Sequence, residues 1–420
     1  MPGPEKTLAV KSKKPLIIIV VFAIFLGGGV WWAHSSPSKF ASWLPGGGVS
    51  VTRDDQELSV YFERVGFVRA HSVPYKENRI EYPILGTMYL SLPALASGDE
   101  AGYALWLMIL NSLSAVALMY VTYRLLALLG RPHSLLWLFF LPGVAYFTLN
   151  RFDIWPALLV QLSLLMLFTK RWNWAFVLLC ASFLAKGYAI LLFPIFFAYW
   201  LSQTKRPEVS LWKNKPLWLL VGPVLVVILL MVAMAGGQNG LFPYYFQSTR
   251  GFAFGSAYTI YIIGLTFLIQ ERWLVIMIGI ATKVMLLVQF ILPALMYGGY
   301  AFFRRFIRQT DDVVHWSTIV IAVYILFSPY YSPQWLLWLV PLLLLWRAST
   351  VAGLAAFAYG LMAYLEFPIA INVFGFDSIQ YNMLVLARTV LLVSIVVIGA
   401  VQLRRRADTA VPPAPLPLHS

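Results

Sequence analysis

Charge is scarce in this sequence. Of its 420 residues, 11% are Asp, Glu, Lys or Arg, while 60% are hydrophobic. Soluble domains carry about 25% charged and roughly 45–50% apolar residues, so a water-soluble fold is excluded. Cysteine is almost absent. Cys180 stands alone in an apolar stretch, which rules out an intrachain disulfide and reads as a small buried side chain. The histidines, His34, His71, His133, His315 and His419, are scattered without metal-ligand spacing. No P-loop and no GxGxxG is present, so nothing supports a nucleotide as direct substrate. Disorder is excluded for the bulk of the chain, which holds 16 Trp, 22 Tyr and 29 Phe.

The charge that is present is unbalanced, with 31 Lys+Arg against 17 Asp+Glu and a net +14. A nucleic-acid binder would show its bases as a patch on a charged surface, and this composition supplies no such surface. The bases instead cluster between apolar runs. They fall in the N-terminal tail (Lys6, Lys11, Lys13, Lys14), at Arg124 and Arg131, Lys170-Arg171, Lys205-Arg206 with Lys213 and Lys215, Arg304-Arg305 with Arg308, Arg347, and Arg404 to Arg406. Cytoplasmic loops collect Lys and Arg, so these clusters orient the chain. The reading is an all-α, multi-pass protein of the cell membrane with both termini cytoplasmic. Its spans fall near 15–33, 101–129, 134–149, 153–169, 174–186, 188–202, 215–235, 273–300, 313–328, 334–346, 350–366 and 383–403. That makes about 12 transmembrane helices. A basic tail, 1–14, precedes a single transmembrane domain, 15–406, and the Pro- and Ala-rich tail 407–420 is expected to be disordered. Leu16 to Trp32 lacks a small-x-small cleavage site and reads as an uncleaved anchor, not a signal peptide.

Several of these spans are too short to cross alone at about 1.5 Å per residue. The hairpin 134–169 and the pair 174–202 place Asn150-Arg151-Phe152-Asp153 and Lys186-Gly187-Tyr188 at their outer tips. Short helices there predict a depression on the outer face. Residues 34–100 form a long extracytoplasmic loop in which Leu58, Tyr61, Phe62, Val65 and Val68 recur at helical spacing. This predicts an amphipathic helix on the membrane surface, with a second interfacial helix over 84–96. Residues 236–272 form an outer loop or re-entrant segment that carries Arg250.

Chemistry is best sought among the outer polar residues. Asp54, Asp55, Glu57, Glu63, Glu77 and Glu81 share one loop, and a carboxylate beside a lipid-facing cavity can take a proton from a hydroxyl. An ordinary solvated loop is the plainer alternative for any one of them. Lys186 interrupts an otherwise apolar stretch from Trp172 to Trp200, and either ends a hairpin in water or pairs with Asp153 or an anionic ligand. Arg250 either snorkels to lipid headgroups or grips a phosphate bidentately, with Gly251 and Ser256 permitting close backbone approach. Ser328-Pro329-Tyr330-Tyr331-Ser332-Pro333-Gln334 marks a helix break, with Trp335 and Trp338 as part of an aromatic belt.

Four segments together resemble a known family. They are Asp54-Asp55 to Tyr61 with Val73-Pro74-Tyr75 and Glu81-Tyr82-Pro83; Asn150-Arg151-Phe152-Asp153 through Ala185-Lys186-Gly187-Tyr188; Arg250-Gly251 with Ser256; and Ser332-Pro333-Gln334-Trp335-Leu336-Leu337-Trp338. In order and spacing they are similar to the GT-C superfamily of membrane glycosyltransferases, and most of all to the bacterial mannosyltransferases of glycosyltransferase family 87. The match runs from about residue 50 to 340, and the last two spans add nothing specific to it. It departs from the family pattern in three places. Asp55 lies six residues before Tyr61 where the family often has five, Gly255 stands where an acid often precedes the Ser, and Ala189 follows Tyr188 where Pro is usual.

The resemblance implies a GT-C-like fold and a sugar transfer on the outer face that inverts the anomeric centre. The donor would be a polyprenyl-phosphate sugar, with mannose first and arabinose or glucose open, and the acceptor a glycolipid or glycan. Membrane lipid is the other implied partner; nucleic acid is not one. Asp55, or else Asp54, would serve as catalytic base, with Glu57, four residues before Tyr61, left open as a third candidate; Arg250 and Lys186 would hold the donor phosphate. Asn150, Arg151, Asp153, Glu81, Tyr82, Ser256 and Gln334 would bind or position substrate, although Glu81-Tyr82-Pro83 reads equally as a structural corner. No cofactor is required on this reading, and the outer carboxylates leave a divalent metal open. Two rivals stand beside it. A secondary transporter or flippase would use Arg388 and Lys283 as intramembrane relay charges, but no paired interrupted helices mark corresponding halves. A non-catalytic membrane scaffold is compatible with the composition.

Overall fold

A computed structural model describes residues 14–35, 52–76, 79–204, 215–249, 255–257, 307–376 and 378–409, with positions 279, 280, 283, 284, 287 and 291. Arg250, Gly251, Glu77, most of the expected span 273–300 and most of both tails lie outside the described residues. Among the described residues the fold is all-helical, without strands.

Among the described residues, four helices are long and apolar enough to cross a membrane: Lys14–Ser35, Glu100–Leu128, Ser349–Phe374 and Ile379–Arg405. A fifth span results if Pro142–Asn150 and Ile154–Phe168, bent by 109° at residues 151–153, count as one. Shorter apolar helices occupy Ile84–Ala96, Trp172–Ala185, Gly187–Gln203, Gly222–Ala235 and Pro333–Leu343. The expected span 134–149 is not one helix. Its first half is a 3-10 turn, His133–Phe140, and Pro142 then starts a new α-helix, because proline has no N–H to lose in a first turn. At the other end, the last helix runs to Thr409, into the segment expected to be disordered.

The frame that holds the site uses six of these elements. We label them α1 (Asp55–Arg64), α2 (Ile84–Ala96), α3 (Glu100–Leu128), α4 (Pro142–Asn150), α5 (Ile154–Phe168) and α6 (Trp172–Ala185). Helices α5 and α6 pack as an antiparallel hairpin, and α3 lies against α5. Asp99 caps α3 by accepting a hydrogen bond from the Gly102 N–H at 2.7 Å. Gly86 lets α2 lie directly on the end of α6; a Cβ there would stand 2.5 Å from the Ala185 carbonyl oxygen.

Helix α1 forms where the periodicity places it, but the stripe breaks at Val65, and a separate turn covers Gly66–Arg69. Its apolar face is taken up by protein. Leu58, Tyr61 and Val65 are fully buried, Tyr61 meets Phe152 edge-on at 5.9 Å, and Phe62 lies 5.4 Å from Tyr103. The area that the sequence assigns to the membrane surface is covered by α3 and the 150–153 bend.

Candidate active site

The bend between α4 and α5 is the keystone of the site, because its four residues point to two different charge clusters. Arg151 leaves α4 in extended conformation (φ −133°, ψ 135°) and Trp155 re-enters a helical turn on the Phe152 carbonyl. Asn150, Arg151, Phe152 and Asp153 are all buried.

The first cluster ties the loop to the bend. The Asn150 amide accepts the Asp54 N–H at 2.8 Å and donates to the Thr52 and Tyr146 carbonyls at 2.9 and 2.8 Å. Asp54 then caps α1. One carboxylate oxygen accepts the Glu57 N–H at 3.1 Å, and the other accepts Arg151 Nη2 at 2.5 Å. Arg151 Nη1 reaches Glu57 at 3.1 Å. Both Asp54 oxygens are thereby engaged by protein, and its side chain is only 9% exposed. Asp55, one residue on, points outward: its side chain is 56% exposed, with Arg53 as its partner at 2.5 Å. The Asp that caps the helix and the Asp that faces solvent are distinct residues with distinct capacities.

The second cluster lies on the other side of Phe152. Lys186 ends α6 in extended conformation (φ −158°, ψ 122°), with its amine 2.7 and 2.8 Å from the two oxygens of Asp153. Asp153 is 0% exposed and Lys186 20%. The Gln334 amide donates to Asp153 at 3.4 Å and accepts the Ser332 hydroxyl. The Lys186 amine also stands 4.7 Å from the Phe152 ring centre and 5.5 Å from that of Trp338, a partly desolvated cation–π setting. Trp338 in turn stacks on Tyr188 at 4.0 Å. Three segments far apart in sequence thus meet at one buried carboxylate.

Other expected site residues are placed differently. Glu81 pairs with Arg64 at 2.7 Å and is nearly buried, joining α1 to the segment before α2. The Tyr82 ring lies against Phe152 at 5.0 Å, and its carbonyl accepts from Tyr75 and Thr87. These contacts are those of a corner that supports the bend. Burial, reinforced by Glu57, pushes the Tyr61 and Tyr82 phenols well above the ordinary tyrosine range, so both stay neutral O–H groups. Ser256 is buried, and its hydroxyl has no partner among the described residues. Arg250 lies outside them, so its relation to Lys186 is not described. No grouping of three or more His, Cys, Asp or Glu suited to a metal occurs among the described residues.

One pair escaped the sequence reading. Glu366 and Arg388, each 1% exposed, form an ion pair between the last two long helices, and Arg388 also donates to the Gly255 carbonyl. The signal was there: each is a lone charge in an apolar run, and the two runs are consecutive and of opposite sign. Taken singly, Arg388 reads as a relay charge; with Glu366 it is neutralised.

No protein-family model matches the chain, and no curated protein matches it.

Proposed function

We propose that the chain is a GT-C-type membrane glycosyltransferase. It moves a sugar, mannose first, from a polyprenyl-phosphate donor to a glycolipid or glycan acceptor on the outer face of the cell membrane, within a twelve-span path whose termini are cytoplasmic. The observation that supports this most is the exposed Asp55 carboxylate, set on a helix whose neighbouring acid, Asp54, is wholly consumed in holding that helix to the buried bend.

In this mechanism Asp55 takes the proton of the acceptor hydroxyl as that oxygen bonds to the anomeric carbon. The bond from the anomeric carbon to the donor phosphate oxygen breaks, and the lipid phosphate leaves with the electron pair. Attack opposite the leaving group inverts the centre, so a β-linked donor gives an α-linkage. Lys186, with Arg250, faces the phosphate on which negative charge grows. Asp153 fixes the Lys186 amine in place in advance, so little reorganisation is left for the reaction. Asp54, Asn150 and Arg151 set the first turn of α1 and hence the place of Asp55.

The test uses purified protein in nanodiscs with radiolabelled polyprenyl-phosphate-mannose and a lipid-extract acceptor. Asp55→Asn is expected to lower kcat by about 10²–10⁴-fold with an unchanged melting profile, since the side chain is largely exposed. Full transfer by Asp55→Asn would remove the base assignment. Absence of transfer from any polyprenyl-phosphate sugar, with counterflow of a solute, would favour the transporter reading.

A further inference from the structure

Two full charges sit inside the apolar part of the fold, and charges there are costly unless they are paired. The Glu366–Arg388 pair meets that requirement, yet its geometry does more than neutralise. Arg388 Nη1 is given to Glu366 at 2.5 Å, with the Tyr381 hydroxyl on the same carboxylate at 3.4 Å. Its guanidinium carbon lies 3.4 Å from the centre of the Tyr331 ring. The other terminal nitrogen, Nη2, is spent on a main-chain carbonyl, that of Gly255.

Gly255 is built for that contact. Its φ is +90°, and a Cβ there would stand 2.6 Å from the Tyr381 hydroxyl and 3.1 Å from Glu366. Only glycine allows the backbone this conformation and this approach. The next residue, Ser256, is 0% exposed, and its hydroxyl has no partner among the described residues. Buried hydroxyls are normally hydrogen-bonded, and this one has a donor that no acceptor among the described residues takes.

The same pair reaches the active-site bend from the other side. Glu366 is followed by Phe367, which leaves the helix in extended conformation (φ −142°, ψ 125°) just before Pro368. The Phe367 ring centre lies 5.7 Å from the Arg151 guanidinium carbon and 6.2 Å from the Phe147 ring. One ion pair therefore joins the Gly255–Ser256 turn to the element that backs Arg151.

We infer that Glu366 and Arg388 are a positioning pair: through the Gly255 carbonyl they set the Ser256 hydroxyl to donate to a phosphate oxygen of the lipid-linked donor, and through Phe367 they brace Arg151. The phosphate part rests on the transferase reading above, whereas the hold on the turn does not. A lysine at 388 would carry all its donors on one nitrogen, whereas arginine places Nη1 on Glu366 and Nη2 on the Gly255 carbonyl, so arginine is required for shape as well as charge.

The experiment separates the two parts. In a Cys180→Ala background, Ser256→Cys is labelled with a maleimide in nanodiscs, beside Arg388→Met, Arg388→Lys and the swapped pair Glu366→Arg/Arg388→Glu. With the native pair, the introduced thiol is protected. Losing a hydrogen bond from a charged donor is expected to raise labelling by about 10–100-fold in Arg388→Met, and nearly as much in Arg388→Lys, which keeps the charge and tests the point if the methionine variant does not fold. The swap restores neutrality but faces the Gly255 carbonyl with a carboxylate, so labelling stays high. In variants that retain Ser256, KM for polyprenyl-phosphate-mannose is expected to rise by about 10–100-fold in Arg388→Lys and in the swap. Equal labelling with and without Arg388 overturns the proposal, as does a swap that regains both protection and the native KM. If the unsubstituted protein transfers no sugar while the labelling still jumps, the transferase reading fails and the hold on the turn stands.

Discussion

Replacing Lys186 by methionine isolates the electrostatics of the second cluster. The amine lies 2.7 and 2.8 Å from the two oxygens of Asp153, and beyond it the carboxylate has, among the described residues, only the Gln334 amide at 3.4 Å. Methionine keeps most of the length of the lysine stem and deletes the charge. A carboxylate that is 0% exposed is then left with one long hydrogen bond. Breaking a buried pair from this side costs about 3–5 kcal/mol. Asp153→Asn breaks it from the other side, but Lys186 is 20% exposed and its flexible stem lets the amine turn to water. That change falls nearer the range of exposed pairs, about 1 kcal/mol. The double variant buries no charge, so it is expected to cost little more than Asp153→Asn, a coupling of about 3–4 kcal/mol. Unfolding by sodium dodecyl sulfate in mixed micelles, followed by tryptophan fluorescence, measures all three; Trp338, 5.5 Å from the amine, is a local reporter. Equal costs for the single variants would refute the unequal burial of the two partners, and simple additivity in the double would refute the pairing itself.

Two further outcomes follow from the bend. Asn150→Ala removes the acceptor of the Asp54 N–H and the side-chain donor to the Thr52 and Tyr146 carbonyls and is expected to destabilise by about 2–3 kcal/mol and to release α1, measured as faster amide exchange over residues 54–64; unchanged exchange would detach the amide from that role. Gly86→Ala sets a Cβ 2.5 Å from the Ala185 carbonyl, a main-chain atom that cannot swing aside, and is expected to cost about 1–3 kcal/mol and to lower transfer through the adjacent Lys186, whereas Gly98→Ala, with nothing within 4 Å, is expected to do neither.

Much of the site was visible as residue types and little of it as contacts. Lys186 and Asp153 stood out because a charge in an apolar stretch needs a partner, and opposite signs on neighbouring tips suggested the pairing. The division of labour between Asp54 and Asp55 was hidden. Adjacent residues of one kind look alike in sequence, and only the start of α1 decides that one carboxylate turns back to cap the helix while the next faces out. Arg151 shows the same limit. It read as one of several positioning residues, yet its guanidinium holds two acids from a loop nearly a hundred positions away. The amphipathic stripe of α1 was legible as a stripe, but what covers it was not, since lipid and the ring of Phe152 are equally apolar partners to a periodicity argument.

The sequence alone determined that this chain is helical, apolar throughout and suited to a membrane, because composition and hydrophobic run length act residue by residue and need no partner. The start of the long helix near residue 101 was legible as well, whereas the break before Pro142 was missed, because the expected span 134–149 runs through it. Only the tertiary structure decided which carboxylate is consumed and which is exposed, that Glu366 neutralises Arg388, and that a glycine at 255 receives that arginine. Those outcomes depend on which surfaces meet, and desolvation and pairing exist only once they have met.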